Sequence, residues 1–294
     1  MARSEAALAR EAFYRIVTDA VNDLLANGYD SQKRLEHWLQ RIELAARAAL
    51  VPEGTLRRVL GDALQQVYER AVGGGLVRRH AGVSQFTLDA IKPKLRRELD
   101  RRILASADLI RLNREASIQR TLQRFAGWAT SIPIGGTDDK QRKEAKRHVR
   151  RGIAALPFEE RRVIIDQGHK LAAAIDDVVA TDAGAIAGTW RSRWREAGYD
   201  YREDHKDRDG KVYVLPGNWA LDKGLVRLAG AQYTDEVTAP GEEINCRCRL
   251  EYVYALRDLP VRMLTVKGRA ALTEARRQIR TWDSVHNYHA NQPR

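Results

Sequence analysis

The chain has two cysteines, Cys246 and Cys248, one residue apart in PGEEINCRCRLEY, and a histidine, His205, in YREDHKDRDGKVY. Thiolates and imidazole are the preferred ligands of zinc, and a metal can staple a segment too small to build its own core. The three residues sit on two turns far apart in the chain, and a shared ion is one physical reason to bring those turns together. The spacing supports zinc only in part. Cys-x-x-Cys is the common knuckle and Cys-x-Cys the less usual one, and the fourth ligand is open among Glu243, Asp207 and Asp209. The competing reading sets Cys246 and Cys248 alternately along a strand, with His205 hydrogen-bonded in a turn. A disulfide is disfavoured, because residues this close are poorly placed to bridge and a reducing compartment rarely keeps such a bond.

His205 with Asp207 and Asp209 on a turn before a strand also suggests a metal-dependent nuclease of the ββα type. Such a site needs a second ligand on the following helix, and Lys223 to Leu228 offers neither His nor Asn. Arginines beside the cysteines could lower a thiol pKa, but no orienting pair accompanies them. The chain has no phosphate-binding glycine loop of the Walker or dinucleotide type, so a packaging ATPase is excluded at the level of motifs. We therefore expect no enzyme. His286 and His289 read as incidental histidines of a frayed tail. Trp190, Trp194 and Trp219 read as core or interface anchors.

The elements that must position these residues are mainly helical. Leu8, Ala12, Ile16, Ala20 and Leu24 form an apolar stripe that stops at Asn27-Gly28. A second helix follows Asp30-Ser31 and a third follows Pro52, and together they predict a small bundle over residues 1–83, ending near Gly73-Gly74-Gly75. Residues 84–197 read as a long helical hairpin or stalk. Its first arm starts at Pro93 and runs to about Ala129. Its second arm runs from Phe158 to Glu196 through Val163, Ile175, Trp190 and Trp194, with Gly168, Gly184 and Gly188 allowing breaks or close contact. Between the arms, Ile132-Pro133 to Thr137 reads as a turn. Residues 198–258 lose the helical period. Lys211 to Leu215 and Arg249 to Tyr254 are strand-like, so a loop-rich α+β module with a small sheet is expected. Residues 259–294 form a final helix, Thr265 to Trp282, and a polar tail.

The 150–258 region resembles the C-terminal domain of phage Mu F-like minor head proteins. That family shows a long helix ending in an Arg-Thr-Glu-like stretch, then Arg-x-x-His, Asp-Gly, Pro-Gly and Asn-Cys-Arg-Cys in order. Here the order is Val179-Ala180-Thr181-Asp182, Arg202-x-x-His205, Asp209-Gly210, Pro240-Gly241 and Asn245-Cys246-Arg247-Cys248. Two departures stand out. Many relatives have a cysteine where this chain has Arg202, and His-Pro where it has Glu243-Ile244. A family-style metal site is thereby reduced to His205, Cys246 and Cys248 with Glu243. In the alternative without metal, Arg202, Arg247 and Arg249 fasten the loops by pairing with Asp204, Asp209 or Glu242. The resemblance implies a structural virion protein acting in head morphogenesis and capsid assembly. Its expected partners are the portal protein, scaffold or major capsid protein, and packaged double-stranded DNA. It would reside in the phage head after assembly in the host cytoplasm.

Charge agrees with that expectation without requiring it. Fifty-one Lys and Arg against 39 Asp and Glu leave +12, which favours polyanions. Lys143, Arg147, Arg150 and Arg151 concentrate this excess on one stretch, which reads as a patch facing DNA or an acidic partner, or else as a solvated helix face. No apolar run of about 18 residues predicts a membrane span. The N-terminus reads as a helix start and not as a signal peptide, so the expectation is a cytosolic product.

Overall fold

A computed structural model describes residues 5–73, 79–80, 83–132, 138–228, 232–234 and 239–290, with residues 6 and 281–290 by backbone alone. Gly74-Gly75, the turn expected at Pro133 to Thr137, and the side chains of Trp282, His286 and His289 lie outside the described residues. The helices are α1 (Glu5–Asn27), α2 (Gln32–Ala48), α3 (Glu53–Val72), α4 (Gln85–Ala129) and α5 (Asp139–Asp182). The chain is mainly α, with a small mixed sheet near its C-terminus. It forms two compact units. One comprises 1–64 and 101–165, the other 65–100 and 166–294.

In the first unit, Phe13, Val17, Val21 and Leu24 of α1 pack with Trp38 and Ile42 of α2, Ile118 and Phe125 of α4, and Val149 and Ile153 of α5. The buried face of α1 is not the expected stripe throughout, since Leu8 is 51% exposed. Residues at a strict four-residue spacing drift about 40° per step around a helix, and the buried Phe13, Val17, Ala20 and Leu24, spaced by four, three and four, follow the true period instead. Ser31 caps α2, accepting from the Arg34 N–H. The hairpin arms of this unit are tied by the Arg114–Glu160 ion pair at 2.6 Å, and Arg114 also donates to the Val51 carbonyl.

Both long helices begin earlier than expected. The α4 helix starts at Gln85, where the Ser84 hydroxyl accepts from Thr87 N–H, so Pro93 lies inside it and not in its first turn. The α5 helix starts at Asp139 and runs through Pro157, taking in the whole basic stretch. It also ends earlier, at Asp182 instead of Glu196. Gly184 adopts the left-handed conformation (φ 79°), with Ala185 N–H donating to the Ala180 carbonyl and Gly184 N–H to Thr181. This pair of bonds closes a helix at a residue that needs no Cβ.

In the second unit the chain then turns into a strand, β1 (Ala187–Arg191). The strands β2 (Val212–Val214), β3 (Gln232–Tyr233) and β4 (Arg249–Val253) complete a sheet ordered β3-β2-β1-β4. The β1 strand is central and antiparallel to both neighbours, with Gly188 opposite Tyr213 on one side and Tyr252 on the other. The expected strands correspond to β2 and β4, but β1 was expected as helix. A central strand covered on both faces loses its alternation, and Trp190 and Trp194 imitate a helical i, i+4 pair. Short helices α6 (Glu203–Asp207) and α7 (Trp219–Asp222) and a final helix α8 (Val266–Ala290) complete the unit. Among the described residues no helix is long and apolar enough to cross a membrane.

Candidate metal centre

The site is assembled by β1, α6 and the loop that enters β4. The turn after α6 is pinned to β1, because Gly210 N–H donates to the Trp190 carbonyl and Trp190 N–H to Lys211. The Asp209 carboxylate accepts from Ser192 N–H at 2.9 Å and from the Trp194 indole at 3.1 Å. The backbone bond from Ser192 holds Asp209 below its ordinary pKa against the opposing effect of burial, with a smaller contribution from the indole. This fixes α6 so that His205 points inward, 1% exposed, with the Trp190 ring edge-on at 5.5 Å.

The opposing loop is held as firmly. Asn245 is the one described non-glycine residue with positive φ (59°), and its N–H donates to Asp166 on α5. Tyr199 donates its hydroxyl to the Asn245 carbonyl and accepts from Arg247 N–H. Gly241, at φ 83°, lies so close to α5 that a Cβ would sit 3.0 Å from Ala173 Cβ. From that position its N–H donates to Cys246 Sγ at 3.4 Å.

Between these supports, His205 Nδ1 lies 3.7 Å from Cys246 Sγ and 3.5 Å from Cys248 Sγ. The three ligand atoms all fall within 4.8 Å of one another, and all three residues are buried. Tetrahedral zinc with bonds of about 2.3 Å to sulfur and about 2.05 Å to nitrogen separates an S and an N ligand by about 3.6 Å. The donor set and its spacing therefore fit a metal such as zinc. Cys246 is pulled down to about 5 by the Cys248 thiol that donates to it, aided by the Gly241 N–H. Cys248 is pushed up by donating that hydrogen bond and by burial.

Glu243 is not a fourth member of this group. Its Oε1 lies 3.4 Å from His205 Nε2, the ring nitrogen facing away from the thiols, and belongs with Asp204 to a separate cluster. The contact is not a hydrogen bond. It suits a group that orients a ligand from behind. Asp207 and Asp209 also stay out of the thiol group, and among the described residues no other acidic, His or Cys side chain joins it.

Among the described residues, Arg202, Arg247 and Arg249 each pair with an acid other than the expected ones. Arg202 pairs with Glu243 at 2.7 Å and donates to the Ile244 carbonyl. Arg247 reaches Glu196 and lies over the Tyr199 ring, and Arg249 meets Glu251. Asp204 is taken by Arg208, and Glu242 accepts from Ala239 N–H. Of the basic stretch, Lys143, Arg147 and Arg151 are exposed. Arg150 is not a free member of the patch, since it donates to the Tyr14 carbonyl and to Thr18 and stacks on the Tyr14 ring.

Sequence reasoning missed Asp166 and Tyr199, which shape the cysteine loop, and a buried network elsewhere in the same unit. There His80 Nδ1 meets the Tyr254 hydroxyl at 2.8 Å and Nε2 meets Asp176 at 3.3 Å. No spacing signal marks these residues, because their partners are more than 45 positions away in sequence.

Compared with family models, curated proteins and solved structures, the chain matches none of them. The Mu F-like resemblance accordingly stands on the ordered motifs of residues 179–248 alone.

Proposed function

We propose that this protein is a structural component of a tailed-phage head, a Mu F-like minor head protein acting at the portal in head morphogenesis. In this reading His205, Cys246 and Cys248 hold zinc as a clasp and catalyse nothing. One observation carries it: residues from four of the five ordered motifs, from Arg202 to Cys248, gather around one buried cluster. Arg202 and Asp209 set α6, Gly241 and Asn245 set the cysteine loop, and the ligand atoms meet between them. The site's closure supports a staple. With three protein ligands a tetrahedral zinc has a fourth position for water, and a hydrolytic zinc needs that position within reach of substrate. His205 and Cys246 are each 1% exposed, which speaks against the nuclease alternative. Zinc there would supply binding energy to the fold, tying a loop entering β4 to a five-residue helix.

Heads assembled in cells producing portal, scaffold and capsid proteins, with and without this chain, test the proposal. Quantitative mass spectrometry of purified heads should find the chain in low copy and co-purifying with the portal. Its absence from heads, or metal-dependent cleavage of DNA lost on His205→Ala, would overturn the reading.

A further inference from the structure

The first unit carries a second feature that does not depend on the head-protein reading. Where α4 ends and α5 begins, an open groove of about 1420 Å³ is walled by Tyr14, Trp128, Lys143, Lys146, Arg147 and Arg151. A smaller recess of about 470 Å³ extends it past Lys140 and shares Lys143 and Arg147.

The groove differs from the rest of the surface in its charge balance. Elsewhere arginines are commonly matched by carboxylates, as at Arg47–Glu115, Arg191–Glu251 and Arg202–Glu243. Among the described residues, Lys143, Lys146, Arg147 and Arg151 have no ion-pair partner, and Glu144 is the one acid lining the larger groove. Lys146 is held below its ordinary pKa by burial first and then by Arg150 and Arg142. Cations that outnumber the nearby acids, here Glu144 in the groove and Asp139 in the recess, repel one another and create a focused positive field, which an anionic occupant relieves.

Which anion the groove suits follows from its shape. Lys143, Arg147 and Arg151 recur every four residues, a row about 12 Å long at 1.5 Å per residue. Such a row can track successive charges along a polymer. The groove is also lined by Trp128, half-buried against Phe125 with the ring centroids 6.0 Å apart. A ring beside a cationic track is the combination that binds unpaired strands, phosphates on the cations and a base on the ring. An acidic peptide would use the cations and leave the tryptophan idle.

We propose that this groove binds a single nucleic-acid strand, with its phosphates along Lys143, Arg147 and Arg151 and a base against Trp128. This goes beyond the sequence reading, which pointed to duplex DNA or any acidic partner.

The test uses the full chain and a labelled oligothymidylate of about fifteen nucleotides, followed by fluorescence anisotropy across a salt series. A duplex of equal length and poly-glutamate serve as competitors. The strand should bind more tightly than the duplex, and poly-glutamate should compete weakly. The triple variant Lys143→Gln, Arg147→Gln, Arg151→Gln should flatten the slope of log affinity against log salt by about 2 for three lost single-strand phosphate contacts. Trp128→Leu should weaken strand binding about tenfold with Trp128→Phe largely retaining it, each variant having an unchanged circular dichroism melt. An unchanged slope, equal or tighter duplex binding, or efficient displacement by poly-glutamate would each overturn the proposal. If Trp128→Leu proves unstable, the triple variant of exposed residues decides alone. Failure here leaves the head-protein proposal standing, because incorporation into heads is measured separately.

Discussion

His205 Nδ1 lies 3.5 Å from the Sγ of Cys248, a residue forty-three positions later in the chain. That separation is close to the edge of a zinc tetrahedron, about 3.6 Å for one sulfur and one nitrogen ligand. The relationship turns the metal reading into a stability experiment. We expect freshly purified protein to contain about one zinc per chain by elemental analysis. At free zinc about a hundredfold above its dissociation constant, the folded state should gain about 2.7 kcal/mol over the chelated protein. Cys248→Ser should remove both the metal and the gain. Substoichiometric zinc with a melting temperature indifferent to chelator would refute the clasp.

Glu243 separates a ligand from a supporting group. It approaches Nε2 of His205, not the thiol side, and it also pairs with Arg202. Glu243→Gln should therefore weaken zinc about ten- to a hundredfold in competition with a chromophoric chelator, without abolishing binding. A loss as complete as that of Cys248→Ser would show that Glu243 moves in to ligate the ion.

Asp209 gives the module an acid-side dependence whose sign is set by its depressed pKa. The carboxylate accepts from Ser192 N–H and the Trp194 indole, so its charged form is favoured in the folded state. The resulting stability is fully present above its ordinary value of 3.8 and is lost as pH falls through the lower folded value. Asp209→Asn should cost about 1.5–3 kcal/mol at neutral pH, the range for hydrogen bonds to a charged group. In urea denaturation the gap between wild type and variant should close below about pH 4. A gap that stays constant down to pH 3 would assign the effect to packing.

How much of this was legible in the sequence depended on whether the signal was local. The α2 helix, capped by Ser31, was readable because its cap and its apolar face lie within one segment. So were β2 after the Asp209-Gly210 turn and β4 with its alternation. The β1 strand was not, since its two buried faces erased the alternation and two tryptophans four apart mimicked a helix. For the site, His205, Cys246 and Cys248 were found by residue type alone. Glu243 was grouped with them because it stands where many relatives of the resembled family have His-Pro before the cysteines, yet ring geometry puts it on the far nitrogen. Asp166, Tyr199 and the Gly241 N–H carry no signature, because their roles exist only once α5 and the cysteine loop have met.

The same limit applies to His80, which is fully buried within the second unit. Its ring stacks on Tyr252 at 5.6 Å and is bonded on one nitrogen to Tyr254 and on the other to Asp176, which also holds Arg79 at 2.9 Å. Burial, and then the Asp176 charge, raises the Tyr254 pKa, so its hydroxyl stays protonated beside His80 Nδ1. Tyr254→Phe should leave Nδ1 without its partner and cost about 1–3 kcal/mol, the desolvation penalty of an orphaned polar group. His80→Leu removes the other side of the same bond and should cost a similar amount. If the bond is the shared cause, the double variant should cost less than the two single changes added together, with a coupling of about 0.5–3 kcal/mol in urea denaturation. Strict additivity would mean that the two residues stabilise the unit separately.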